Sequence, residues 1–306
     1  MTAALGEWAK RRGWGAVAGP PAVLEEVRAE LESRRETGQV DAAVFRDWLA
    51  GFRYLDDEAV PEPRALIVVS VPRPTHAVTF TRGDDAVETL LPPTYVGYNG
   101  LFDRVAQALR SEVLGPRHRL VRLAAPLKAV AARLGLVKYG RNNIAYGAKA
   151  GSYQQLVGYL TDAAVETVPP REPEMLAACL DCRACVAACP TGAIPDDRFL
   201  LHAERCLALF TETAGDFPSW LPDRIHHCLV GCLICQRVCP ANAGRFRVEP
   251  AGLAFDATET DAIVADGGER TAPVWEGIRE KLAAAGLADY EPVLARNLQA
   301  LLRRAR

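Results

Sequence analysis

Nine cysteines occur in the chain, and all of them lie between Cys179 and Cys239. The first group reads Cys179-x2-Cys182-x2-Cys185-x3-Cys189-Pro190, which is the run of a bacterial ferredoxin. The second reads Cys228-x3-Cys232-x2-Cys235-x3-Cys239-Pro240, with Cys206 alone between the groups. A 4Fe-4S cube needs four thiolates at the corners of a tetrahedron, and the two-residue spacings let one tight loop supply three of them. In two-cluster ferredoxins the cysteine before proline ligates the other cluster, so the halves are stapled across each other and the clusters lie close enough to exchange electrons. Zinc is the competing chemistry, but it does not call for a triple run that ends in Cys-Pro twice. Clusters that serve only as folding staples are a second rival. Two clusters use eight thiolates, and spacing alone leaves open whether Cys206 or Cys228 is the ninth.

The elements that must position these thiolates belong to an ordinary globular composition. The 306 residues are 49% hydrophobic and 24% charged, with 36 basic against 38 acidic side chains. Charges of both signs are interleaved, without the basic stripe that tracks a phosphate backbone, so nucleic acid is an unlikely partner. The longest apolar run, Ala65 to Val71, is far too short for the ~20 residues of a membrane span. The N-terminal stretch through Gly15 has no apolar signal core, so a cytoplasmic protein is expected, and a secreted disulfide scaffold is not.

Val23 to Arg35 has strong helix formers at a helical apolar spacing, within a segment 1–55 expected to be helical. Arg64 to Val71, bounded by prolines, reads as a buried strand. His76 to Arg82 and Ala86 to Leu91 flank Gly83-Asp84-Asp85 as a hairpin. Leu101 to Arg110 and Ala124 to Leu134 read as helices, the latter stopped by Gly135. Residues 56–168 are therefore an α/β domain. The proline-rich, acidic stretch 166–174 is an extended linker, and 169–247 form the cysteine domain. From Pro250 onward the chain reads as helical, with Val274 to Ala285 and Pro292 to Arg304 as helices of a C-terminal segment, 248–306.

The run Leu134-Gly-Leu-Val-Lys-Tyr-Gly-Arg-Asn-Asn-Ile-Ala-Tyr146, then Gly151-Ser-Tyr153 and Leu160-Thr-Asp162, leads into the cysteine region. Together with Cys189-Pro-Thr-Gly-Ala193, Arg205-Cys206, Gly231-Cys-Leu-Ile-Cys-Gln236 and Cys239-Pro-Ala-Asn242, it resembles the epoxyqueuosine reductase superfamily, to which reductive dehalogenases are more distantly related. The resemblance spans about residues 64 to 247. It implies an α+β fold: a nitroreductase-like α/β domain, a ferredoxin-like domain with two 4Fe-4S clusters, and a short helical C-terminus. It implies base-off cobalamin between the first two, with Gly140, Arg141, Asn142, Asn143, Gly151, Ser152 and Tyr153 in the loops facing the corrin. The family's Arg-Cys makes Cys206 a ligand. One cluster then takes Cys179, Cys182, Cys185 and Cys239, the other Cys189, Cys206, Cys232 and Cys235, and Cys228 is spare.

Where queuosine enzymes carry an acidic residue, this chain reads Arg119-Leu-Val-Arg-Leu-Ala-Ala-Pro-Leu-Lys128 without a carboxylate. The resemblance is thus to a branch that shares Pro92-Pro-Thr-Tyr95 and Pro-Leu-Lys128. The expected activity is a cobalamin-dependent iron-sulfur reductase acting on a small organic substrate, fed by an external low-potential donor of ferredoxin or flavodoxin type. Tyr95, Tyr98 and Lys128 are the candidates for proton donation or substrate contact. The alternatives are a two-cluster electron carrier without a catalytic centre and a tRNA-modifying reductase.

Overall fold

The computed structural model describes residues 2–54, 59–265 and 273–304. Its central sheet orders four strands as β1 (Gly15–Gly19), β2 (Ala65–Pro72), β8 (Gln154–Thr161) and β5 (Leu120–Arg122), every neighbour antiparallel. Two layers cover the sheet. On one face Ile67, Val69, Val157 and Tyr159 pack against Trp8 of the helix Thr2–Arg11 and Val105 and Leu109 of the helix Tyr98–Leu109. On the other, Leu66, Val68 and Leu160 meet Val23 and Val27 of the helix Val23–Glu36 and Val130 of the helix Leu127–Arg133. Burial on both sides explains why β2 reads as an unbroken apolar run instead of an alternation.

A second sheet orders β4 (Asp85–Leu91), β3 (Thr75–Arg82) and β9 (Val248–Phe255). The expected hairpin forms it with β9, which returns from beyond the cysteine region to pair in parallel with β3. Val78, Phe80 and Leu91 pack there against Ile278 of the helix Pro273–Ala284 and Leu294 and Leu298 of the helix Glu291–Arg304. A two-stranded ribbon, β6 (Val137–Tyr139) with β7 (Ala145–Gly147), holds the glycine- and asparagine-containing loop.

Two segments depart from their expected helical character. β1 is built from Gly-Ala-Val-Ala-Gly, which carries one β-branched residue, and its place is set by pairing with β2 rather than by propensity. β9 contains Pro250 and Gly252, both of which argue against a strand. It is tolerated as an edge strand, and the pairing with β3 shifts register between Ala77 and Thr79. The expected boundary at residue 55 lies outside the described residues. Among the described residues no helix is long and apolar enough to cross a membrane.

Candidate redox centre and cleft

None of the nine cysteines is paired in a disulfide, and all are carried on loops and short helical turns. Burial first, then the neighbouring Cys179, raises the pKa of Cys185, and Cys239 adds to it. Burial likewise pushes Cys232 up to about 12, with Cys206 and Cys189 as the neighbouring thiols. Cys235 is raised by burial and by Cys232, Cys206, Cys185 and Cys189. Cys185 thus neighbours Cys179 and Cys239, and Cys232 and Cys235 neighbour Cys189 and Cys206, while Cys235 also feels Cys185 and the buried Cys228 feels Cys232. Cys182 is half-buried on the loop that carries Cys179 and Cys185. Raised pKa values mean neutral thiols, whose protons metal binding must displace.

Cys228 is 1% exposed and packs with Tyr153 and Leu233. Its segment forms a bridge to Leu90, whose carbonyl accepts from the Leu229 amide. Among the described residues no three His, Cys, Asp or Glu side chains converge on a single ion. A cube spreads its four thiolates wider than a zinc ion does, and grouped cysteines without histidine partners are the donors a cluster takes.

The loops expected to face a cofactor mostly bind the cysteine domain instead. Arg141 donates to the Cys179 carbonyl at 2.8 Å and lies 3.5 Å from Asp196. Asn142 is buried and donates to the Tyr146 hydroxyl at 3.0 Å and to the Cys235 carbonyl at 3.4 Å. The Ser152 amide donates to Asn242 Oδ1 at 2.9 Å. The Ser152 hydroxyl donates to Gln236 Oε1 at 2.8 Å and accepts from Asn242 Nδ2 at 2.7 Å. Gly151 has a φ of +58°, and a Cβ there would lie 2.3 Å from Asn242 Oδ1, so glycine is required both for conformation and for close approach. A Cβ on Gly140 would meet Asn142 and Tyr146. Tyr146 was not singled out by sequence, although its hydroxyl reaches Cys239. Gln236 and Asn242 stood in the motifs that carry the resemblance but were given no role of their own. Their fixed offsets from Cys235 and Cys239 were the available signal.

A cleft of about 850 Å³ opens between this seam and the α/β domain. Its walls include Trp48, Phe52, Pro92 to Thr94, Tyr98, Arg122 to Lys128, Ser152, Gln154, Gln155 and Gln236. Of the expected cofactor residues, Ser152 lines it, and Asn143 lines an adjoining cavity that also touches Lys128. Gly140, Arg141, Asn142, Gly151 and Tyr153 do not line the cleft. Of the expected catalytic residues, Tyr98 and Lys128 line it and Tyr95 does not.

Tyr95 donates to Glu212 and packs edge-on to Tyr290. Burial and the Glu212 carboxylate hold its pKa well above the ordinary tyrosine value, and its hydroxyl is engaged away from the cleft. Lys128 donates to the Asn143 carbonyl at 3.2 Å. Solvent reaches Lys128 through the cleft while protein surrounds the cleft. That enclosure lowers its pKa, and nearby Cys206 opposes the shift. No described carboxylate lines the cleft, in agreement with the sequence of Arg119 to Lys128.

Residues 178–242 match the 4Fe-4S double cluster binding domain. The chain is 30% identical over 235 residues to an epoxyqueuosine reductase of Burkholderia pseudomallei, covering 74% of this chain and 52% of the relative. It is 37% identical over 117 residues to that of Staphylococcus aureus, covering 38% and 30%. The fold matches epoxyqueuosine reductase from Streptococcus thermophilus with a TM-score of 0.70 at 20% identity, over 98% of this chain and 80% of that one. The chain belongs to the epoxyqueuosine reductase superfamily. Its matched part spans about a third to a half of these curated superfamily relatives. A further superfamily structure, at TM-score 0.63 and 20% identity, covering 95% of this chain and 77% of that one, holds an epoxyqueuosine-modified tRNA stem loop. The Bacillus subtilis structure, at TM-score 0.64 and 21% identity over 97% and 80%, shows a catalytic aspartate loop swung out of its active site.

Proposed function

We propose that this protein is a cobalamin-dependent iron-sulfur reductase of a small organic substrate, with two 4Fe-4S clusters between an external electron donor and the cleft. The observation that carries the reading is the contact of the cleft with the cysteine domain. Gln236, next to Cys235, forms part of its wall, and Lys128 on its floor lies near enough to Cys206 for the two to influence each other. Cys189, Cys206, Cys232 and Cys235 would hold the cluster nearer the cleft, and Cys179, Cys182, Cys185 and Cys239 the outer one.

The cleft fits a corrin in two respects. Its volume lies at the upper end of the usual range for small-molecule sites, and the cleft is open enough for a larger group to project from it. A corrin rim carries amides, and Gln155 offers a buried Oε1 without a partner while its Nε2 donates to the Tyr98 carbonyl at 3.1 Å. Cobalamin, when bound, would supply the low-potential metal chemistry that the protein's own side chains lack. Ser152, Gln154, Gln155 and Gln236 would orient it. Trp48, Leu49 and Phe52 would exclude water from the reacting face. Lys128, held by Asn143, is the proton donor of choice because it is a titratable group on the floor with a lowered pKa.

A second reading, reduction of epoxyqueuosine in tRNA, is favoured by the relatives' activity and by the superfamily structure that holds a tRNA stem loop. It also removes the force of excluding nucleic acid on charge alone. Against it stands the absence of a described carboxylate among the residues that line the cleft, whereas the Bacillus subtilis relative has a catalytic aspartate loop. Titration of the anaerobically reconstituted protein with cob(II)alamin should give a base-off spectrum. No binding at millimolar cobalamin would overturn the cobalamin reading in favour of an electron carrier. Epoxyqueuosine-containing tRNA should not be turned over at enzymatic rates, and turnover would establish the second reading.

A further inference from the structure

A second concavity, of about 270 Å³, is lined by Arg73, Lys149, Arg245, Arg247, Glu249 and Tyr153, and it shares no lining residue with the cleft. Its basic character continues toward the iron-sulfur loops. Arg237 lies over the Phe246 ring at 5.2 Å, and Phe246 is 5.7 Å from the ring of Tyr153. Next to Arg237, Val238 is 41% exposed and immediately precedes Cys239. Four cations thus line the concavity with one carboxylate, Glu249, and Arg237 stands nearby over Phe246, on a chain whose net charge is -2. Within the patch the Nε of Arg73 is buried without a hydrogen-bond partner.

We propose that this patch is the docking site of an acidic one-electron carrier protein. The inference rests on the reading that Cys239 is a ligand of the outer cluster. A basic patch beside an exposed apolar residue matches an acidic surface around a carrier's redox group, and such charge steering raises association rates and fixes orientation. A carboxylate of the carrier would enter the pocket between Lys149 and Arg247. In each encounter the reduced carrier loses one electron and the outer cluster gains it, with no proton or bond exchanged. Electrons would then enter on the face opposite the Gly151 to Tyr153 turn from the cleft. RNA is disfavoured as occupant because the patch adjoins the cysteine loops and not the cleft.

The test uses the full reconstituted chain, a reduced bacterial flavodoxin as probe and dithionite as the small reductant. Lys149→Glu/Arg247→Glu should weaken flavodoxin binding and slow cluster reduction by flavodoxin at least tenfold at low salt, with a smaller effect at high salt. Iron content and the dithionite rate should be unchanged. The exposed pair Arg117→Glu/Arg224→Glu, with the same charge change elsewhere, should leave all of these at wild-type values. Equal flavodoxin binding and rates in wild type and the Lys149/Arg247 variant would overturn the proposal. So would equal losses in the two variants, or loss of tRNA binding alone, which would assign the patch to RNA. Absent iron, or clusters that dithionite cannot reduce in the wild type, would instead count against the cluster reading beneath it.

Discussion

Cys228→Ser is expected to leave about eight irons per chain, whereas Cys206→Ser should lower that content. Cys228 sits 1% exposed in an apolar cluster, while Cys206 faces Cys189 and Cys232. Iron and sulfide analysis after anaerobic reconstitution decides it, and the reverse pattern would exchange the two assignments. Lys128 invites a check that needs no substrate. Enclosure lowers its pKa, so it should become a neutral nucleophile at a lower pH than the other lysines. Acetic anhydride labelling followed by mass spectrometry should modify Lys128 before Lys10, and cobalamin should protect it. Labelling in step with Lys10 would remove it as a tuned acid. The cysteines were legible in sequence because a cube dictates spacing. Arg141, Asn142 and Gly151 were legible only as important, since a residue that must pack against another domain and one that must approach a cofactor are both small or polar. In the structure they contact Cys179, Cys235 and Asn242.

At the scale of elements, the buried side chain of Asn242 is one of the groups that knit the seam between the α/β domain and the cysteine domain. Asn242 accepts from the Ser152 amide and donates to the Ser152 hydroxyl and the Gln236 carbonyl. Asn242→Ala leaves the Ser152 amide buried without an acceptor, whereas the Ser152 hydroxyl keeps Gln236 Oε1 and the Gln236 carbonyl keeps the Cys239 amide. The expected loss is about 1–3 kcal/mol, the cost of one unsatisfied buried donor. Urea unfolding of wild type and variant under identical iron loading measures it; a loss below about 1 kcal/mol would show that the seam is held elsewhere. The helices Val23–Glu36 and Tyr98–Leu109 and the strand β2 were readable because a packed face repeats locally in sequence. β1 and β9 were not, because their places are fixed by partners far along the chain, Ser70 for Gly15 and Thr75 for Val248.

For the molecule as a whole, the C-terminal segment is a partner of the cysteine domain and not an appendage. Leu229 and Val230, beside the second cysteine group, share a core with Leu294 and Leu298 of the last helix. Arg303 of that helix pairs with Asp223 at 2.6 Å, and Arg304 donates to the His226 carbonyl at 2.8 Å. His226 itself is 1% exposed, lies 4.5 Å from the Phe217 ring and has no partner for either ring nitrogen. Burial lowers its pKa to about 4, partly opposed by Asp223 and reinforced by Arg296. In the unfolded chain an ordinary histidine takes up a proton near pH 6.5. Above that value both states are neutral and His226 does not make stability depend on pH. Between about pH 6.5 and pH 4 only the unfolded chain binds the proton, so stability falls as pH falls, by at most about 3 kcal/mol. The Asp223 carboxyl, lowered by Arg303, titrates below this window and does not confuse it. His226→Phe should therefore flatten the acid limb of urea stability between pH 6.5 and pH 4.5 relative to wild type, while Asp223→Asn should leave the slope in that window intact. An unchanged slope in His226→Phe would mean that the ring is protonated in the folded protein, and that the contact between the last helix and the cysteine domain accommodates its charge.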